Sequence, residues 1–298
     1  MFAVLVKENT SVFFVTTELD KIAAFLVESS LFIAVIGVAA LYFSFKFYEL
    51  PLDVLLFISC FLTVFSVYSL NKLTDAREDA INLPDRARFV AQNGRYVALA
   101  VLVAYSSALL LALVHSVNAM LVIAVPLVMG FLYSVGVSSF RLKNLKGLKS
   151  IVIASTWAVT LTLLPLTVSS RPVLIVSIVL CFFVFVRFFV NVVLFDLRDI
   201  EGDVASGMIT IPAYVGRNKT KNLLLLVNST LVIWLAYSYM QGLFHQYLAV
   251  FIFSIVYAYF CILHFCASEK KIGKSLDFLV DGEWLLIVVV ALFVLWHF

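Results

Sequence analysis

Long apolar stretches alternate with short polar ones along this chain. Runs of about 18 to 24 apolar residues, enough for a helix to cross a bilayer, fall at roughly 22–45, 52–70, 95–115, 118–138, 150–169, 173–195, 220–240, 246–266 and 282–297. The polar stretches between them are of two kinds. Those at His115–Asn118, Ser169–Pro172 and Met240–His245 are short, which predicts antiparallel helical hairpins. Those at roughly 71–94, 196–219 and 267–281 are longer and carry most of the charge. The pattern predicts an all-α, polytopic membrane bundle of about nine helices.

Composition agrees with the pattern. The chain has 298 residues, of which 63% are hydrophobic and 13% charged, with mean hydropathy +1.09. Soluble domains carry about 25% charged residues, so a soluble protein is excluded. Basic residues then orient the bundle. Lys72, Arg77, Arg86, Arg88 and Arg95 follow the second run, and Arg141, Lys143, Lys146 and Lys149 follow the fourth. Arg198, Arg217, Lys219 and Lys221 follow the sixth, and Lys270, Lys271 and Lys274 the eighth. Lys7 and Lys21 share that side, whereas the opposite loops hold only Lys46 and Arg171. The positive-inside rule therefore places the N-terminus and the long polar stretches in the cytoplasm, with the chain multi-pass in the cell membrane. The net charge of +3 reflects this topology, and no nucleic-acid partner is inferred from it. Charges at Lys7, Glu8, Glu18 and Asp20 interrupt the first residues, so a cleavable signal peptide is not expected. Cys60, Cys181, Cys261 and Cys266 all lie in apolar runs and read as core-filling thiols.

Two acidic clusters stand out against this background: Asn71-Lys-Leu-Thr-Asp75-Ala-Arg-Glu-Asp79 and Asp196-Leu-Arg-Asp199-Ile-Glu-Gly-Asp203. Each directly follows an apolar run and repeats an acid at i, i+4, which stacks two carboxylates on one helix face. Two such pairs at a membrane mouth suit Mg2+, which takes a few carboxylates together with phosphate oxygens. Arg77, Arg86 and Arg88 add charge for a phosphate. A faint repeat links the clusters, since Asn71…Asp75…Asp79…Pro84 answers Asn191…Asp199…Asp203…Gly207…Pro212. One domain over 1–298 with two pseudo-repeated halves, roughly 22–149 and 150–298, is expected. Within the sixth run, Arg187 and Asn191 lie one turn apart. A charge at that depth costs about 2.5–3.5 kcal/mol on insertion scales. An anionic partner in the bundle interior and a polar cavity beside the Arg187–Asn191 stripe are therefore expected.

On these residues the chain resembles the UbiA superfamily of intramembrane prenyltransferases. Asn71, Asp75 and Asp79 match the first signature, an Asn with acids four and eight residues later. Asp199, Asp203, Gly207, Thr210 and Pro212 match the second. The resemblance implies a helical bundle around a central cavity under a cytoplasmic cap. It also implies Mg2+-dependent transfer of an isoprenyl group from a prenyl diphosphate to a hydrophobic, lipid-soluble acceptor, through an allylic carbocation. Asn71, Asp75, Asp79, Asp199 and Asp203 would hold the Mg2+–diphosphate, with Asp196 as a neighbour. Two departures are visible: Lys72 stands where many members have Asp, and Val137, not Lys, lies four residues after Tyr133. Lys143 and Arg141 are the candidates for the charge missing there.

Two other classes share some of these features. A CDP-alcohol phosphatidyltransferase is also a membrane bundle with metal-binding Asp residues, but its acids are not divided between loops more than 100 residues apart. An ion-coupled transporter places its acids near the bilayer midplane, whereas these follow the ends of apolar runs.

Overall fold

The computed structural model describes residues 25–134, 147–169, 174–267, 272–273 and 275–297. Among the described residues every regular element is helical. The long helices are α1 (Leu31–Phe47), α2 (Val54–Thr74), α4 (Pro84–His115), α5 (Val117–Ser134), α6 (Leu148–Leu163), α7 (Leu174–Arg198), α10 (Arg217–Met240), α11 (Leu248–Ala267) and α12 (Glu283–His297). Three short helices interrupt the order: α3 (Ala76–Asn82), α8 (Ile200–Ala205) and α9 (Ile211–Val215). Among the described residues six stretches are long and apolar enough to cross a membrane: Val54–Thr74, Arg86–His115, Leu148–Val168, Leu174–Arg198, Arg217–Met240 and His245–Ala267.

The helix ends follow local chemistry. Asp53 starts α2 by accepting from the Leu56 N–H at 3.1 Å. Pro84 opens α4, a position where its missing N–H costs nothing. That helix therefore begins well before residue 95, because Arg86, Arg88 and Arg95 lower the hydropathy of its first turns without breaking them. The first apolar run differs in the other direction. A short helical stretch at 25–28 ends in a turn, and Ser30 sits at φ 66° before α1 begins at Leu31. The Lys72 ammonium answers the carbonyls released by this break, donating to Val27 O and Glu28 O at 2.8 Å each. Within α5, Pro126 interrupts the hydrogen-bond ladder. The Tyr105 hydroxyl fills the gap, donating to Ile123 O at 2.7 Å and accepting from Leu127 N at 3.1 Å.

The helices close into a ring: α1 packs against both α2 and α12, α5 against α6, and α7 against α10 and α11. Small residues allow the backbones to approach. A Cβ on Gly37 would lie 2.6 Å from Val64 Cγ2, and the Ser59 hydroxyl reaches Ala108 O across α2 and α4 at 2.9 Å. Cys60, Cys261 and Cys266 are buried and free. Aromatic rings fill the half of the bundle remote from the acidic clusters. There Phe43 contacts Phe47, Phe183, Tyr247, Phe251 and Trp284 with centroids 5.9–6.3 Å apart.

Candidate active site

Both acidic clusters are built by the same backbone device. Asp75 closes α2 and opens α3 at φ −98°, ψ 22°, and Asp199 stands between α7 and α8 at φ −96°, ψ 11°. The four-residue hydrogen bonds run on through each junction. Asp75 N bonds Asn71 O at 2.8 Å and Asp79 N bonds Asp75 O at 2.9 Å. Asp199 N bonds Phe195 O at 3.1 Å and Asp203 N bonds Asp199 O at 3.0 Å. The i, i+4 stacking of the acids survives the bend in each helix.

The two clusters are locked together by Asn82, which is on neither signature. The Asn82 Nδ2 donates to Asp199 O at 3.1 Å, and its Oδ1 accepts from Gly202 N at 2.9 Å. Gly202 permits this approach, since a Cβ there would sit 2.7 Å from both Asn82 Cγ and Glu78 O. Gly202→Ala should therefore push α8 off α3. The expected outcome is at least about a tenfold weaker apparent Mg2+ affinity, as for loss of other outer-shell supports, measured by titrating diphosphate release. An unchanged titration would show that the lock is dispensable.

Charge in the cleft is partly balanced by nearby bases. Asp79 is buried and pairs with Arg86 at 2.5 Å, yet its Oδ2 has no hydrogen-bond partner. Burial raises its pKa, against the pull of Arg86. Lys149 bridges Asp196 at 2.9 Å and Asp203 at 3.4 Å, and the Ser150 hydroxyl donates to Asp196 at 2.8 Å. Burial lifts Asp203 to about 7, with Asp196 and Asp199 adding to the rise and Lys149 opposing it. Arg198 grips Asp199 through Nε at 2.8 Å and Nη2 at 3.1 Å. Its Nη1 reaches Asp277 at 3.1 and 3.3 Å. A buried carboxylate oxygen without a donor, in a cleft that resists further ionisation, fits a divalent cation. No ready cage of three His, Cys, Asp or Glu side chains occurs among the described residues. Mg2+ needs no such cage when it keeps waters and phosphate oxygens as ligands.

A pH dependence follows. A carboxyl with a raised folded pKa binds more protons folded than unfolded, so stability from this group is lost as pH rises from the ordinary carboxylate range through about 7. Asp203→Asn, permanently neutral, should melt higher than the wild type at pH 8 in chelator and approach it at pH 5. Parallel melting curves at both pH values would contradict the burial argument.

The other expected site residues are dispersed. Asn71 is exposed and Asp75 half-buried at the rim. Arg77 lies in α3 and Tyr133 in α5, but their side chains fall outside the described residues, as do Arg141 and Lys143 altogether. Arg187 and Asn191 lie deeper in the bundle. Arg187, 1% exposed, pairs with Glu283 and donates to Asn228 Oδ1 at 3.2 Å. Ser254 donates to Glu283 at 2.9 Å, and Asn191 donates to Val280 O at 3.2 Å. The expected anionic partner of Arg187 is thus Glu283, and protein groups take the place of the polar cavity expected beside this stripe. Asn82, Lys149 and Asp277 were not legible as site residues. Asn82 acts on a segment 117–120 residues away, Lys149 counts only as a topological charge, and Asp277, with Asp281 four residues on, lies outside both signatures.

A sequence model described as the UbiA prenyltransferase family matches residues 30–281, a span that includes both acidic clusters. The chain belongs to this family. Solved family structures share its fold at low identity. A UbiA homolog from Archaeoglobus fulgidus, bound to GPP and Mg2+, has a TM-score of 0.70 at 16% identity, covering 91% of this chain and 98% of that one. The apo UbiA homolog from Aeropyrum pernix K1 has a TM-score of 0.65 at 14% identity, covering 88% and 97%. A digeranylgeranylglyceryl phosphate synthase has a TM-score of 0.56 at 18% identity, covering 93% and 98%. No curated protein matches the sequence. With six membrane-length apolar helices among the described residues, this UbiA family member is an integral membrane protein. The phosphatidyltransferase and transporter readings find no support in these matches.

Proposed function

We propose that this UbiA family member transfers an isoprenyl group from a prenyl diphosphate to a hydrophobic, lipid-soluble acceptor, an aromatic quinone precursor or a glyceryl phosphate lipid, with Mg2+. The observation that carries the proposal is the convergence of the two acidic segments, locked by Asn82 and Gly202 around the unpartnered Asp79 oxygen. Fold neighbours bound to GPP and Mg2+ or to DMAPP and Mg2+ support it.

Asp75, Asp79, Asp199 and Asp203 would hold Mg2+, with Asn71 at the rim. The bound metal supplies charge neutralisation of the diphosphate. Arg86 and Lys149 face the same cleft and can steady the leaving group as its C–O bond breaks. The apolar helices beneath would favour the allylic cation by keeping water from it. In this reading the chain crosses the cell membrane about nine times, with the N-terminus and both clusters on the cytoplasmic side under a cap. The matching bends at Asp75 and Asp199 support two pseudo-repeated halves within a single domain. Purified protein incubated with labelled prenyl diphosphates and a panel of acceptors, with and without Mg2+, tests the proposal. Absence of Mg2+-dependent diphosphate release for every donor would refute it.

A further inference from the structure

Just before α12 the backbone departs from the α-helix. Residues Asp277–Asp281 form a π-helical turn, a form found mostly at functional sites. Gly282 closes it, where Phe278 O leaves no room for a Cβ. The turn is supported from two helices: Asn191 donates to Val280 O at 3.2 Å, and the Tyr257 hydroxyl to Leu279 O at 2.8 Å. The Arg187–Glu283 pair pins the residue just beyond it. So much support for an irregular turn implies that its side chains need fixed positions.

The turn aims two carboxylates differently. Asp277 reaches Arg198 at the acidic mouth. Asp281, one turn deeper, lies within electrostatic reach of Asp277, Arg198 and the Tyr68 phenol. Asp281 and Tyr68 are both part-exposed rather than sealed in the core. Tyr68 also shares its face of α2 with Asn71 and Asp75, at i, i+3 and i+7, one turn below Asn71. Its ring is held against Trp157 at 5.9 Å and 18°.

Resting on the prenyl-transfer reading, we propose that Asp281 and Tyr68 form the acceptor side of the site and receive a hydroxyl-bearing reacting end, a phenol or an alcohol. The donor C1–O bond breaks with its electron pair leaving on the diphosphate. The acceptor's oxygen, or the ring carbon that it activates, bonds to C1, and the proton lost by the acceptor passes to the Asp281 carboxylate. Burial, with Asp277 adding and Arg198 opposing, raises the pKa of Asp281 well above the ordinary carboxylate range.

The test separates donor ionisation from transfer. Exchange of bridging 18O in geranyl diphosphate with Mg2+ reads ionisation without any acceptor. Transfer is read with 4-hydroxybenzoate as the phenol and an alkylglycerol phosphate as the alcohol. Asp281→Asn should keep exchange within about threefold of wild type and lower transfer at least about 100-fold, the usual scale for a lost acid–base group. Tyr68→Phe, which retains the stack on Trp157, should show the same split to a smaller degree. Unchanged transfer in both variants, or exchange lost in step with transfer, would overturn the assignment. A wild-type chain that shows no exchange would instead sink prenyl transfer itself, and this inference with it.

Discussion

Asp203→Ala is expected to lower Mg2+-dependent release of diphosphate from GPP at least about 1,000-fold while the protein stays folded. The scale is that of removing one preorganised group that stabilises developing charge, about 100- to 1,000-fold, compounded by weaker metal binding. Folding should survive because ionised Asp203 is held in the bundle at a cost, its pKa lifted to about 7 by burial and by Asp196 and Asp199. Lys149 keeps Asp196, the nearer of its two carboxylate partners. Asp75→Ala should behave alike, since half-buried Asp75 stands at the rim. Diphosphate release and a melting curve on the same preparations decide the matter. Wild-type turnover in both variants would remove the metal role from these acids.

Arg187→Leu is expected to destabilise the bundle by about 3–5 kcal/mol, the usual cost of leaving one member of a buried ion pair alone. Glu283 is 1% exposed, and Ser254 then remains its one side-chain partner among the described hydrogen bonds. Activity should fall as well, because Glu283 fixes the end of the π-turn that presents Asp277 to Arg198. Pairing the change with Glu283→Leu should recover most of the stability, since apolar replacements of both partners are often neutral or better. A single variant that melts with the wild type would show that Arg187 finds water or lipid headgroups by itself.

Much of the architecture is legible because hydropathy and helix length are set by the same solvent. Each predicted apolar run is helical over most of its length. The errors lie where a local feature overrides hydropathy. Ser29 and Ser30 break the first run, and Lys72 stabilises that break from a helix the eye would not pair with it. The catalytic candidates were legible through i, i+4 spacing, which is a local property. Their assembly was not, because Asn82 and Gly202 meet across 120 residues and neither belongs to a signature. The same holds for the polar stripe of α7, where the sequence demands an anion for Arg187 without saying which of several acids supplies it.

The partnership of Arg187 with Glu283 also bears on biogenesis. Ninety-six residues separate the two along the chain. At about 5–20 residues per second of synthesis, the arginine enters the bilayer roughly 5–20 s before its counterion leaves the ribosome. During that interval the half-made protein carries a guanidinium in hydrocarbon, a state that quality-control machinery is suited to recognise. A nascent chain stalled before Glu283 should accordingly be degraded faster than one bearing Arg187→Leu.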